Sequence, residues 1–229
     1  MYEEFYSLQH PPFRESSDPR LIFLSETLKL TLSNLLRCFR NRHDHVLLLG
    51  DEGVGKSIFA RTIVNNLTPE AVCAYIAQPI EHTEQLVVDI CKAFEMQLNG
   101  ASSKTGYIMR LHALMDQFSA NEQHAVVIFD NAQDLSEDIL DEIHLLMDYE
   151  PSQGRCLQFC LISRPELQDV LNKPPCRHLT SSLSQRFHLS RLGPEETNGY
   201  IKHRLHLAGY QMVGDLFNPS AVQTIYSET

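Results

Sequence analysis

The sequence predicts an α/β fold: a mostly parallel sheet covered by helices on both faces, followed by the start of a small helical domain. Three observations predict it. Short apolar runs alternate with amphipathic segments along residues 46–192, the pattern of strand–helix–strand crossovers. The runs are continuously apolar rather than alternating, which suits strands buried on both faces. The stretch GDEGVGKS, residues 50–57, lies between one such run and an amphipathic helix.

The elements follow in order. Residues 1–24, FYSLQHPPF then DPRLIFLS, form an aromatic, proline-rich lead-in, too short to fold alone and expected to pack on the core. Ser25 suits an N-cap, and Leu28, Leu32, Leu35, Leu36 and Phe39 then fall on one helical face. VLLLG (46–50) predicts the first strand and SIFARTIVNNL (57–67) a helix. AVCAYIA (71–77) predicts the second strand and TEQLVVDICKAFEM (83–96) a helix. A polar loop, NGASSKTG, leads to a helix over 107–118. VVIFD (126–130) is the third strand, SEDILDEIHLLMDY (136–149) a helix, LQFCLIS (157–163) the fourth strand, and RFHLSRL holds a short fifth. After Gly193, proline and acids open a helix with Ile201, Leu205 and Ala208 on its apolar stripe, and NPSAVQTIYSET begins another. The expected domains are the lead-in (1–24), a nucleotide-binding α/β core (25–192) and a partial helical lid (193–229) that reads as truncated.

Composition sets bounds. The net charge is −10, from 19 Lys+Arg against 29 Asp+Glu, which argues against broad nonspecific binding to nucleic acid or anionic membrane. The six cysteines show no CxxC and no paired zinc spacing; they read as buried thiols of a reducing compartment. The acidic, aromatic N-terminus does not read as a secretory signal, and no apolar run reaches the roughly 18 residues of a membrane span. These residues are therefore expected to be soluble.

GDEGVGKS fits GxxxxGK(S/T) at every specified position. In such a P-loop the glycines let backbone N–H groups converge on phosphate oxygens. The expected phosphate-binding residues are Gly50, Asp51, Glu52, Gly53, Val54, Gly55, Lys56, Ser57 and Ile58. Lys56 carries charge to the β/γ-phosphates, Ser57 offers a hydroxyl to Mg²⁺, and the helix N-terminus adds its dipole. Asp130, at the end of VVIF, reads as the second anchor for Mg²⁺; the alternative is a strand-end cap. Ser163, closing LQFCLIS, stands where a hydroxyl would sense the γ-phosphate, or would satisfy loop backbone. Arg164 follows it, with its direction open. Arg186 is a candidate arginine finger acting on a neighbour's nucleotide, or an ordinary surface arginine. ATP and GTP are not separated by these residues.

With those residues in hand, the chain resembles the AAA+ ATPase domain of the general secretion pathway protein A family (GspA/ExeA-like). The carrying stretches are MYEEFYSLQHPPF, DPRLIFLS, GDEGVGKS, VVIFDNAQDL, LQFCLISRPEL, LSQRFHLSRLGPEET and YIKHRLHLAGY, which cover nearly the whole chain. The resemblance implies a sheet of order 5-1-4-3-2, ATP with Mg²⁺ as cofactors, and a helical lid. It also implies work with protein partners of a type II secretion or pilus-like machine, in the cytoplasm at the face of the bacterial inner membrane.

Two departures bear on activity. The family reads Asp-Glu-Ala-Gln at the third strand, whereas this chain reads Asp130-Asn131-Ala132-Gln133. An amide orients water but accepts no proton, so hydrolysis is expected to be slower by about 10²–10⁴-fold unless another acid, such as Asp134, substitutes. The lid's Gly-x-Pro-Arg sensor would follow the point where IYSET stops. The leading expectation is thus an ATP-binding AAA+ module with weak hydrolysis; a trans-acting Arg186 would let ATP favour rings or stacked dimers, while the truncated lid points to a monomer for this chain in isolation. The alternatives are a non-hydrolysing ATP-dependent switch and a transposition-helper DNA-binding ATPase. Net charge and the absence of a basic stripe, NRHDH (41–45) included, count against the last.

Overall fold

The computed structural model describes residues 2–16, 18–42, 44–97, 103–149, 156–211 and 215–228. Five strands, β1 (Val46–Gly50), β2 (Ala71–Ile76), β3 (His124–Phe129), β4 (Leu157–Ser163) and β5 (Gln185–Leu189), form one parallel sheet. Their spatial order is β2-β3-β4-β1-β5. Counted from the other edge this is 5-1-4-3-2, as the resemblance implies. Ten helices accompany the strands among the described residues: α1 (Tyr2–Phe5), α2 (Glu26–Asn41), α3 (Lys56–Asn65), α4 (Thr83–Ala93), α5 (Lys104–Ala120), α6 (Glu137–Met147), α7 (Glu166–Leu171), α8 (Arg177–Ser182), α9 (Pro194–Leu207) and α10 (Pro219–Glu228).

The strands are apolar throughout because both faces are covered. Val46, Leu48, Val126, Ile128, Cys160 and Ile162 pack with α2 and α3 on one side. Their alternate neighbours Leu47, Leu49, Val127, Phe129, Phe159 and Leu161 pack with α4, α5 and α6 on the other. Period-two alternation of side chains thus splits one apolar run between two cores. Ser25 caps α2, its hydroxyl accepting from Leu28 N–H at 3.3 Å. All six thiols are free and five are buried.

Several boundaries differ from the pattern. β3 begins at His124, since its polar first residue sits on the sheet, paired with Ala71. α5 begins at Lys104, capped by the Ser103 hydroxyl. Residues 99–102 of the NGASSKTG loop and His43 of NRHDH lie outside the described residues. The helices α1, α7 and α8 carry no readable periodicity because each spans only four to six residues. Helices that short depend on packing rather than propensity, and Leu167, Leu171 and Leu179 supply it for α7 and α8.

The helices α9 and α10 pack as a small helical unit around Ile201, Leu205 and Val222. The lead-in, expected against the core, divides its contacts. Leu21 is buried and Ile22 and Leu24 join the α2–α3 core. Upstream residues reach the helical unit: buried Arg204 donates to the carbonyls of Pro12 (2.7 Å) and Arg14 (2.8 Å), and Gln9 N–H donates to Ala208 O (2.8 Å). Phe23 lies on Gly199, where a Cβ would come within 2.8 Å of its ring.

Candidate nucleotide site

The C-terminal ends of β1, β3 and β4 lie side by side in the sheet, so their polar termini gather at one edge. Open α/β sheets bind ligands at this edge. The loop leaving β1 needs its glycines. A Cβ on Gly50 would sit 2.9 Å from Val54 Cγ2 and 3.1 Å from the Leu189 carbonyl oxygen. Gly53 and Gly55 hold φ of 80° and 89°, which favours glycine. The turn brings the start of α3 back under the loop, with Lys56 as its first residue.

Lys56 is buried, and its Nζ donates to the Asp51 carbonyl at 2.8 Å, so the ammonium is folded over its own loop. Burial pushes its pKa below the usual lysine value, and the Arg164 charge adds to this, while Asp130, Glu52 and Asp51 pull it back. Ser57 is half-buried one residue further along α3.

Asp130 is 7% exposed and extends the ladder, its N–H donating to Ile76 O at 2.8 Å. Its two carboxylate oxygens are held separately. Oδ1 accepts from Asn131 N–H at 3.0 Å and Oδ2 from the Tyr75 hydroxyl at 2.8 Å. Burial, then the bond to Asp130, raises the Tyr75 pKa well above the ordinary phenol. Arg61 of α3 lies over the Tyr75 ring, 5.6 Å from its centroid. Ser57, at the start of α3, and Asp130, after β3, bring oxygen donors to this edge, a donor type that suits a small hard cation such as Mg²⁺.

Asn131 takes the left-handed conformation, φ 61° and ψ 41°, and is exposed. Asparagine tolerates that region better than glutamate, so the amide has a backbone reason as well as a chemical one. Its Oδ1 is 3.5 Å from Gln133 Nε2, at the limit of a hydrogen bond, and Asp134 Oδ2 accepts from the same nitrogen at 3.3 Å. Gln133 Oε1 reaches the other way, accepting from Ser163 Oγ at 3.2 Å and Arg164 N–H at 3.1 Å. The fully buried Ser163 hydroxyl also lies 2.9 Å from the Arg164 carbonyl. The alternative reading of Ser163, a hydroxyl satisfying loop backbone, is thus the contact the structure contains.

The structure gathers Gly50 to Ile58, Asp130, Asn131 and Ser163 at this edge. Arg186 is elsewhere. On β5 it pairs with Leu47, three residues before Gly50, where it is exposed and donates to Thr180 O at 3.2 Å. Sequence reasoning missed Tyr75 and Gln133. Tyr75 sits inside an apolar strand and reads as core; only its register beside Ile128, next to the end of β3, points its hydroxyl at Asp130. Gln133 could have been suspected as a polar residue following two others at a strand mouth.

With the geometry in hand, comparisons with known proteins agree. The sequence profile of the AAA domain family matches residues 40–171, more than half of the chain. General secretion pathway protein A of Aeromonas hydrophila is 31% identical over 99% of this chain, which spans 41% of that protein. Among solved structures, Cdc6p from Pyrobaculum aerophilum superposes with a TM-score of 0.66 at 16% identity, over 97% of this chain and 57% of that one. The Aeropyrum pernix ORC2 protein, solved in ADPNP–ADP complexes, gives 0.64 at 18% identity, over 89% and 58%. At such identities these structures speak to the fold.

Proposed function

Because this chain belongs to the AAA domain family, we propose that it binds ATP with Mg²⁺ and serves as a nucleotide-driven module in assembling a type II secretion or related pilus-like envelope machine. One observation carries the nucleotide reading: a glycine-shaped loop follows β1 and opens α3 with buried Lys56, and buried Asp130 follows β3 at the same edge of the sheet. Loop amides and Lys56 take the phosphates, and Ser57 and Asp130 hold Mg²⁺, which neutralises phosphate charge when bound. The secretion role rests on the likeness to general secretion pathway protein A. Net charge −10 stands against a DNA-bound role; a salt-sensitive shift of duplex DNA by the purified protein would reverse that choice.

Hydrolysis is slow in this reading. Asn131 would orient the attacking water by hydrogen bonding but cannot take its proton, which would pass to a phosphate oxygen or to solvent instead. A switch that binds ATP without turnover shares this geometry, and single-turnover hydrolysis separates the two. Wild type is expected to hydrolyse measurably but slowly, and Asn131→Glu about 10²-fold faster, less whatever the left-handed backbone costs a glutamate. Wild-type turnover already at the Asn131→Glu rate would remove the role given to Asn131. Arg186, exposed on the edge strand, serves a neighbouring subunit's nucleotide. An ATP analogue should then enlarge the wild-type particle on sizing and leave Arg186→Ala unchanged; equal behaviour of the two proteins would refute the assignment.

A further inference from the structure

We infer that the lead-in is a strap tying the helical unit of α9 and α10 to α3, the helix that carries Lys56, with Arg204 as the clasp that couples their movements. This rests on the nucleotide reading above and gives that site a mechanical output. The covalent chain joins the helical unit to the sheet at one place, the link from β5 through Gly193 into α9. One link is a hinge, about which α9 is free to swing. The strap adds a second attachment near the far end of α9, at Arg204 and Ala208, roughly 15–20 Å from the hinge along a helix. Two attachments that far apart turn a free swing into a coupled movement.

Each half of the lead-in grips a different body. In the upstream half, buried Arg204 spends its donors on neutral oxygens: Nε on Pro12 O (2.7 Å), Nη2 on Arg14 O (2.8 Å) and Nη1 on the Tyr200 hydroxyl (3.2 Å). Lifting the strap would leave a buried charge without acceptors, which is costly. Such bonds also fix register, which an apolar contact does not. In the downstream half, the helical turn Pro19–Leu21 lies against α3, and Ile22 and Leu24 enter the α2–α3 core. The halves meet at one ring: Phe13 from the first and Phe23 from the second each lie 6.4 Å from Tyr200 of α9. Pro11, Pro12 and Pro19 stiffen the strap by fixing φ, so it passes a displacement on. A lead-in that only covered apolar surface would need Leu21, Ile22 and Leu24, and no buried guanidinium at its other end.

The test is amide hydrogen exchange read by mass spectrometry, with and without a nonhydrolysable Mg-ATP analogue, on wild type, Arg204→Met and Gln9→Pro. The second variant removes the N–H that bonds Ala208 O and alters no residue of the helical unit. In wild type the analogue should slow exchange together in the first turn of α3, in residues 9–14 and in α9. In Arg204→Met, exchange of residues 9–14 without nucleotide should quicken by about 10-fold or more, the scale of one charge-assisted hydrogen bond. The analogue should still protect α3 there, and no longer protect α9. Gln9→Pro should shift the same segments in the same direction by less. Wild-type protection of α9 by the analogue that survives in Arg204→Met overturns the inference, as does wild-type protection confined to the phosphate loop and α3. Loss of α9 structure in Arg204→Met, with Gln9→Pro behaving as wild type, makes Arg204 a stabiliser of the helical unit alone and also overturns it. Titration calorimetry of wild type with the same analogue separates the two failures: no binding overturns the nucleotide reading, whereas binding without coupled protection overturns the strap alone.

Discussion

The two ends of the sheet are made by the same three strands, and both carry polar residues. At the end where the strands begin, His45 precedes β1, His124 opens β3 and Gln158 follows the first residue of β4. All three are no more than 2% exposed. Two are tied to backbone within the fold: Gln158 Nε2 donates to Cys38 O (3.2 Å) and Asp44 O (2.9 Å), and His45 Nδ1 accepts from Phe159 N–H (3.1 Å). At the other end, Gly50, Asp130 and Ser163 finish the same strands, but there the loop lacks side chains that would fill it, and Lys56 and Arg164 converge on it. Polarity at a strand end is therefore not the mark of a site. The mark is charge aimed at backbone that glycine leaves open.

Substitutions at the two ends should separate affinity from stability. The largest effect is expected for Lys56→Ala. Removing the ammonium from a phosphate cradle should lower triphosphate affinity by about 100-fold or more, or roughly 3 kcal/mol, with a nearly unchanged melting temperature. Unchanged affinity would break the nucleotide reading at its base. The converse is expected for Gln158→Leu, which keeps the volume and leaves the carbonyls of Cys38, at the end of α2, and of Asp44 without their donor. That should cost about 2 kcal/mol in urea unfolding while nucleotide affinity holds. A change in affinity there would mean that the two ends communicate.

The contrast also explains how far the sequence could be read. The phosphate loop was legible because glycine pattern and backbone geometry are nearly the same information: Gly53 and Gly55 stand where φ is positive. Asp130 was legible as the first acid after an apolar run, and the strand order came with the resemblance. Tyr75, Gln133 and the direction of Arg164 were not, because each depends on strand register or loop path, which residue spacing does not encode. Asn131 was legible only by half. Its chemistry could be read from the missing carboxylate, but its left-handed backbone could not. The short helices α7 and α8 were illegible for a different reason, since packing alone sustains them.

The smallest effect belongs to His124, at the closed end. Both of its ring nitrogens are buried, and neither has a hydrogen-bond partner among the described residues. Burial, with Arg42 adding to it, pushes its pKa below the ordinary 6.5, while Glu70 pulls weakly the other way. The sign follows directly. Above 6.5 the ring is neutral folded or unfolded, and titration adds nothing. As pH falls below that value the unfolded chain takes up the proton first, so stability declines toward the lower folded-state pKa. His112 and His203 are depressed by burial too and should contribute slopes of the same sign. The lowered carboxylates Glu70 and Glu196 act in a more acidic window, below 4.5. Urea midpoints measured between about pH 7.5 and 5.5, the range in which histidines titrate, should therefore fall for wild type and fall less for His124→Phe. A parallel decline in both proteins would show that His124 meets water or a charge partner at its end of the sheet, and the contrast between a sealed edge and an open one would lose its clearest member.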